Sequence, residues 1–270
     1  MSFTAVNLKD QIGAKVSVSV DDLLAPATGR ELRNLLIERG VLLFEQIYLS
    51  DEQQVQLAGN MGSVRAEGKQ GIYKISLDKN VNARGDYLKG SFLWHMDGTH
   101  DSTPVFASLL TGVTLSPVGG QTEFANSYCA YASLPAEMQA RIAHLKVVHS
   151  VECSMRRAGI EPTPENLAYW RSIPERSHSL VWTHKSGRKS LVIGCHASHI
   201  EGMDRAEGEA LLQELLAWTT QPQFVYRHQW HTGDLLIWDN TGVLHRAEPY
   251  PLDCGREMHR TTLLGEEAFS

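Results

Sequence analysis

The sequence predicts a mostly β fold with peripheral helices, arranged as a double-stranded β-helix, or jelly roll. Short segments of alternating or continuous apolar residues recur along the chain between turn signals, and only a few segments have the spacing of amphipathic helices. We find no internal repeat and no low-complexity tract. Because 270 residues can bury a large core, we expect one domain over residues 1–270.

The predicted helices lie outside the strands. The first covers about residues 29–39 and carries a leucine stripe, and the second starts after Ser50, where Gln53 completes a capping box. A third helix opens at Pro135, and a fourth is capped by Asp204 ahead of a leucine-rich face. These apolar faces are expected to pack on sheets.

Strand candidates combine apolar or alternating residues with turn signals at their ends. They cover residues 41–44, 71–77, 106–115, 121–124, 146–151, 179–183, 189–194, 224–230, 234–238 and 257–264. The polar stretch 154–176 has neither period, so we expect irregular structure there. Together with residues 64–93 it is a candidate for a lid.

Composition excludes several classes of protein. A net charge of −6 without a clustered basic stripe argues against a nucleic-acid partner. The N-terminal residues lack the apolar core of a signal peptide and no apolar stretch approaches a membrane span, so we expect a cytoplasmic protein with no membrane partner. The four cysteines form no Cys-x-x-Cys pair, which indicates reduced thiols. A homo-oligomer is left open.

The most informative residues are His95, Asp97 and His245. On a β-strand His95 and Asp97 face the same way while Met96 points away, so the pair can hold one metal ion. With His245 they form the two-histidine, one-carboxylate triad that binds non-heme Fe(II) and leaves positions open for a chelating cosubstrate and O₂. Arg256, eleven residues after His245, supplies an anion clamp. This is the outline of a 2-oxoglutarate-dependent oxygenase.

Further motifs follow in order. They are Trp94-His95-Met96-Asp97, Gly119-Gly120-Gln121-Thr122, Trp238-Asp239-Asn240, Leu244-His245-Arg246, and Arg256 with Arg260. With these motifs the chain resembles the taurine / 2,4-dichlorophenoxyacetate dioxygenase family of Fe(II)/2-oxoglutarate-dependent oxygenases. The likeness runs from about residue 30 to the C-terminus. The segments 187–202 and 224–228 make it most similar to the 2,4-dichlorophenoxyacetate (aryloxyalkanoate) branch.

The resemblance implies roles for residues outside the triad. Arg256 and Thr122 bind the distal carboxylate of the cosubstrate 2-oxoglutarate, and Arg260 binds the anionic head of a small-molecule substrate. An aryloxyacetate hydroxylated at its ether methylene collapses to a phenol and glyoxylate, with release of succinate and CO₂. The alternative substrate class is an alkylsulfonate such as taurine, which releases sulfite instead.

Two alternatives come from other classes of protein. A cupin-like zinc or manganese hydrolase or isomerase explains the triad but neither Arg256 nor the Gly-Gly-x-Thr motif. A non-catalytic anion-binding jelly roll explains the arginines and leaves the triad unexplained. His196 and His199 are further metal-ligand candidates, but no acid stands at a fitting spacing, so we expect them to brace the pocket through hydrogen bonds.

Overall fold

The computed structural model describes residues 3–78 and 85–269. The strands of these residues are β1 (Thr4–Asn7), β2 (Ala14–Ser17), β3 (Val41–Phe44), β4 (Tyr73–Ser76), β5 (Ala107–Thr114), β6 (Thr122–Asn126), β7 (Lys146–His149), β8 (Arg176–Ser179), β9 (Val181–Thr183), β10 (Lys189–Leu191), β11 (Ala197–Ile200), β12 (Val225–His228), β13 (Leu235–Asp239), β14 (Val243–Ala247) and β15 (Glu257–Leu263). The helices are α1 (Val20–Leu23), α2 (Pro26–Arg39), α3 (Asp51–Met61), a 3-10 helix (Gly85–Phe92), α4 (Ser127–Ala132), α5 (Ala136–Ile142), α6 (Val151–Arg157), α7 (Pro164–Ser172) and α8 (Arg205–Thr219).

Two sheets enclose the central core. A seven-stranded sheet has the order β1-β2-β3-β13-β5-β15-β4, and a three-stranded sheet has the order β12-β6-β14. Leu43, Leu110 and Leu236 of the larger sheet pack against Phe124 and Val243 of the smaller one. The predicted mostly β architecture with peripheral helices is confirmed.

Helices cover the outer faces of this sandwich. Residues adjacent to the inward-facing ones point the other way, so Ile237 of β13 packs with Leu36 of α2 and Leu57 of α3 on the outside. On the opposite side, Leu215 of α8 belongs to the same buried cluster as Leu244 of β14. Burying one such leucine contributes about 2 kcal/mol. Within residues 3–78 and 85–269 no helix has the length and apolar character needed to cross a membrane.

The prediction of irregular structure over 154–176 is wrong, because α6 and α7 occupy most of this stretch. Each helix starts at a side-chain cap, Ser150 for α6 and Thr163 for α7, and Pro164 stands in the first turn of α7. In α7 the buried residue is Trp170. One apolar anchor produces no helical period, so the caps were the only signal in the sequence.

The other lid candidate, residues 64–93, is partly built into the larger sheet. Its residues 79–84 lie outside the described part of the chain. Val64 forms a bridge with Leu263 of β15, and β4 pairs with the same strand in antiparallel register. The segment from Val64 to β4 is therefore fixed to β15 at both of its ends.

Candidate active site

A pocket of about 210 Å³ opens beside β6, β14 and β15. All six residues predicted to form the site line it: His95, Asp97, Thr122, His245, Arg256 and Arg260. The fold thus brings together residues that are separated by more than half of the chain.

The three predicted metal ligands converge on one point. One ligand atom from each of His95, Asp97 and His245 lies within 4.8 Å of the others. His95 Nε2 is 3.8 Å from Asp97 Oδ1, and His245 Nε2 is 3.7 Å from Asp97 Oδ2. His95 Nδ1 lies 2.8 Å from the Leu93 carbonyl oxygen, which can only accept, so Nδ1 carries a proton and Nε2 is the ring nitrogen that faces Asp97.

The expectation that His95 and Asp97 lie on a β-strand is wrong. His95 forms only an isolated bridge with His245, in which each backbone N–H donates to the other residue's carbonyl at 3.0 and 2.9 Å. Asp97 then stands at a turn, since Gly98 has φ of 85°. Met96 is fully buried in the core, as expected from a side chain that points away from the metal. A single bridge followed by a turn therefore sets the two-residue geometry.

The ionisation states match those of metal ligands. Burial by itself raises the pKa of Asp97, but His245, Arg260 and His95 outweigh burial and lower that pKa to about 2. Burial, and after it His95, lowers the pKa of His245 to about 3. At neutral pH the carboxylate is ionised and the His245 ring is neutral, which are the forms that coordinate a metal.

His245 lies on β14. The turn between β13 and β14 is stabilised by Asp239, whose Oδ1 accepts from the Thr241 backbone N–H at 2.8 Å. The Tyr128 hydroxyl lies 2.7 Å from Thr241 Oγ1 and 3.4 Å from Asp239 Oδ2. Asn240 Nδ2 donates to Ser108 Oγ of β5 at 2.9 Å. These bonds fix the turn that leads from the larger sheet into β14, the strand of the third predicted ligand.

One end of the pocket, which we call the Arg256 end, surrounds a buried guanidinium. Arg256 is 5 % exposed, its guanidinium lies 4.6 Å from the centre of the Tyr250 ring, and one Nη donates to the Gly120 carbonyl at 3.3 Å. Gly120 has φ of 76°, and a Cβ there would lie 3.2 Å from Arg256 Nε. Thr122 Oγ1 accepts from Trp230 Nε1 at 2.9 Å, which leaves the Thr122 hydroxyl proton free to be donated.

The other end, which we call the Arg260 end, has a different charge pattern. Arg260 Nη2 donates to Glu67 Oε1 at 2.6 Å, and Nη1 lies 3.5 Å from Asp97 Oδ2. The guanidinium also lies 5.2 Å from the centre of the Tyr73 ring. No local pattern points to Glu67, because the two partners of this ion pair are 193 residues apart.

The rest of the pocket wall comes partly from the two lid candidates, residues 64–93 and 154–176. Leu88 and Ser91 of the 3-10 helix and Ser154 and Met155 of α6 line the pocket. His196 also lines it. The His196 ring stacks edge-on against His100, with ring centres 4.7 Å apart. Sequence reasoning assigned no individual residue of 64–93 or 154–176 to the site, because neither stretch carries a motif of its own.

Sequence matches to relatives that are named for their activity cover most of the chain. It is 36% identical to the alpha-ketoglutarate-dependent 2,4-dichlorophenoxyacetate dioxygenase of Cupriavidus pinatubonensis, covering 98% of this chain and 99% of that protein. It is 32% identical to the (S)-phenoxypropionate/alpha-ketoglutarate-dioxygenase of Sphingobium herbicidovorans, covering 88% and 86%.

Solved structures and a family model agree with these relatives. The crystal structure of AAD-2 in complex with Mn(II) and N-oxalylglycine matches with a TM-score of 0.87 at 33% identity, covering 100% of both chains. A taurine dioxygenase from Burkholderia xenovorans matches with a TM-score of 0.79 at 29% identity, covering 99% of this chain and 93% of that one. The model of the taurine catabolism dioxygenase TauD, TfdA family matches residues 4–262. The chain therefore belongs to the TauD, TfdA family.

Proposed function

We propose that this protein is an Fe(II)- and 2-oxoglutarate-dependent dioxygenase that hydroxylates a small aryloxyalkanoate and thereby cleaves its ether bond. The observation that carries the proposal is the meeting, in one pocket, of the His95, Asp97 and His245 ligand set with Arg256 and Thr122. The relatives named for 2,4-dichlorophenoxyacetate and (S)-phenoxypropionate support the substrate class.

The donor set fits non-heme iron. Two imidazole nitrogens and one ionised carboxylate lie within 4.8 Å of one another on one side of an open pocket, which leaves the other side for exchangeable ligands. When bound, Fe(II) with 2-oxoglutarate and O₂ supplies the oxidising power that hydroxylates an unactivated carbon, with release of succinate and CO₂.

Arg256 and Thr122 hold and orient the distal carboxylate of 2-oxoglutarate in this proposal. Burial lowers the pKa of the Arg256 guanidinium, but an arginine remains charged at any physiological pH. Among the described residues no carboxylate faces it; it lies against the Tyr250 ring, forms a side-chain hydrogen bond with Tyr250 and donates to the Gly120 carbonyl. A charged donor in an apolar site without a counterion binds a carboxylate strongly.

Arg260 binds the anionic head of the primary substrate and keeps its reacting carbon close to the triad. Apolar residues form the surrounding wall, among them Leu88, Leu110 and Met155, which suits an aryl ring. Hydroxylation of the ether methylene gives a hemiacetal, which collapses as the bond between the hydroxylated carbon and the aryloxy oxygen breaks and the hydroxyl proton passes to that oxygen. The products are a phenol and glyoxylate.

The test is an assay with Fe(II), 2-oxoglutarate and O₂ in which succinate is measured together with the second product. With phenoxyacetate we expect phenol and succinate in equal amounts. Taurine serves as the comparison substrate. If taurine releases sulfite and no aryloxyalkanoate releases phenol, the substrate class is alkylsulfonates and not aryloxyalkanoates. If neither compound stimulates the formation of succinate, the proposal is overturned.

We also propose three properties on the basis of the sequence. The chain acts as one domain over residues 1–270, it resides in the cytoplasm, and its partner is a small-molecule anion rather than nucleic acid or membrane. A net charge of −6 supports the exclusion of nucleic acid. Gel filtration of the purified protein with and without added DNA checks this last point, because co-elution with DNA contradicts it.

A further inference from the structure

The Arg260 end contains a carboxylate that the known chemistry does not require. Glu67 Oε1 lies 2.6 Å from Arg260 Nη2, and the two side chains are 18% and 22% exposed. The only other ion-pair partner of Glu67 among the described residues is Arg65, at 3.8 Å, whose side chain is 44% exposed. The main ion-pair partner of Glu67 is therefore Arg260, whose guanidinium is proposed to bind the substrate.

The backbone holds Glu67 in this position. The Arg65 N–H donates to the Thr262 carbonyl of β15 at 2.8 Å, two residues beyond Arg260. On the other side of Glu67, Lys69 and Ile72 exchange two backbone hydrogen bonds of 3.0 and 3.1 Å, which close a tight turn before β4. Since β4 also pairs with β15, Glu67 is anchored on both sides to the strand that carries its partner.

The pairing changes what Arg260 offers to an anion. Its Nη2 is occupied by Glu67, and its Nη1 faces Asp97 at 3.5 Å. Its buried Nε–H has no hydrogen-bond partner in the described part of the chain, so this donor is available to a substrate oxygen. A substrate carboxylate that docks here shares one guanidinium with Glu67, and the two negative charges repel each other in a poorly solvated space.

We propose that Glu67 is a specificity-determining residue that competes with the substrate's anionic group for Arg260 and so weakens the binding of anionic substrates relative to neutral ones. The proposal rests on the function proposed above, because it takes Arg260 as the substrate-anion site. Removing the charge of Glu67 strengthens the binding of a monoanion by about three- to thirtyfold and changes that of a neutral isostere by less than about twofold.

The test is calorimetric titration of the protein loaded with Mn(II) and N-oxalylglycine, so that binding is measured without turnover. Phenoxyacetate is compared with neutral phenoxyacetamide in the wild type, in Glu67→Gln, which keeps the shape and the hydrogen-bond acceptor, and in Glu67→Ala. The control is Glu266→Gln, which removes an ion pair to Arg33, an arginine 23% exposed and outside the pocket lining.

We expect tighter phenoxyacetate binding in both Glu67 variants, with phenoxyacetamide binding and the control unchanged. Unchanged or weaker phenoxyacetate binding in both variants overturns the proposal, because Glu67 then only supports the position of Arg260. Equal tightening of both ligands also overturns it, since the effect is then one of space and not of charge.

A parallel titration with pentanesulfonate separates this proposal from the proposed function. If pentanesulfonate binds with the expected dependence on Glu67 and phenoxyacetate does not bind, the aryloxyalkanoate function fails and the role of Glu67 stands. If neither anion binds to the wild type or to either Glu67 variant, Arg260 is not an anion site and the role of Glu67 falls as well.

Discussion

The two ends of the pocket each present one arginine, and the surroundings of the two guanidinium groups are opposite. At the Arg256 end the guanidinium contacts an aromatic ring and a carbonyl, and Thr122 has a hydroxyl proton to donate. At the Arg260 end two carboxylates, Glu67 and Asp97, already lie beside the guanidinium. Both arginines come from β15 or the residue before it, so the strand does not cause the difference.

The difference supports the proposal that the pocket binds its two anions in different ways. A cosubstrate that is always the same is best held by a charge prepared in advance, without a counterion that has to be displaced. A substrate that has to be selected is better met by a charge that is partly compensated, because then only ligands with additional contacts bind well.

Removal of a metal ligand takes away the centre that both ends share. We expect His245→Ala, like the corresponding change at His95 or Asp97, to lower Fe(II)-dependent succinate formation by more than about a hundredfold. The fold should persist, because the core packs independently of the triad, so the unfolding temperature is the control. Full turnover by His245→Ala without added imidazole contradicts the assignment.

Loss of the guanidinium at the Arg256 end should weaken 2-oxoglutarate specifically. A charge-assisted bond of about 1.5–3 kcal/mol corresponds to about one to two orders of magnitude in the apparent affinity of Arg256→Ala for 2-oxoglutarate. Arg256→Lys should restore only part of it, because an ammonium lacks the bidentate fork. The measurement is the KM for 2-oxoglutarate, and an unchanged value moves the clamp elsewhere.

Loss of the guanidinium at the Arg260 end should act on the primary substrate. We expect Arg260→Ala to raise the KM of an active aryloxyacetate by about three- to tenfold, less than the effect at Arg256, because Glu67 already compensates the charge. Less product should form per succinate, since a misplaced carbon lies outside the reacting geometry. The double variant with Glu67→Gln controls for the carboxylate left unpaired. If Arg260→Ala instead loses 2-oxoglutarate and Arg256→Ala keeps it, the roles are reversed.

The smallest effect should come from the Thr122 hydroxyl. Thr122→Val removes one donor at nearly constant volume, and a hydrogen bond of about 1 kcal/mol corresponds to about a fivefold increase in the KM for 2-oxoglutarate. Thr122→Ser keeps the hydroxyl and is the matched control. An equal effect on the KM of the aryloxyacetate speaks against a division of the pocket into two ends.

Features set by neighbouring residues could be predicted from the sequence. The capping box of Ser50 and Gln53 is confirmed, as is the helix capped by Asp204. The convergence of His95 and Asp97 is also as expected, although a bridge and a turn produce it instead of a strand. These features depend on local spacing, which a sequence displays directly.

Features set by distant contacts could not be predicted. Strand β1 pairs with β2 at the edge of the larger sheet, and all four of its residues are exposed, so no buried face marks it in the sequence. Glu67 meets Arg260 only because the segment from Val64 is bound to β15, and that pairing depends on the completed sheet. The negative charge of Glu67 does not distinguish it from the other acidic residues of the chain.

Asp239, in the turn between β13 and β14, makes the stability of the protein depend on pH. Burial raises the pKa of Asp239 from 3.8 to about 6, against the lowering effect of its bonds to Thr241. Between these pH values the folded chain keeps a proton that the unfolded chain releases. The free energy of unfolding therefore falls as the pH rises from about 4 to about 6 and then levels off. This group contributes about 3 kcal/mol to the fall. Urea unfolding of wild type and Asp239→Asn from pH 4 to pH 7 measures this linkage, and parallel pH profiles would refute it. The fold that holds the turn leading into the strand of His245 is thus most stable below neutrality.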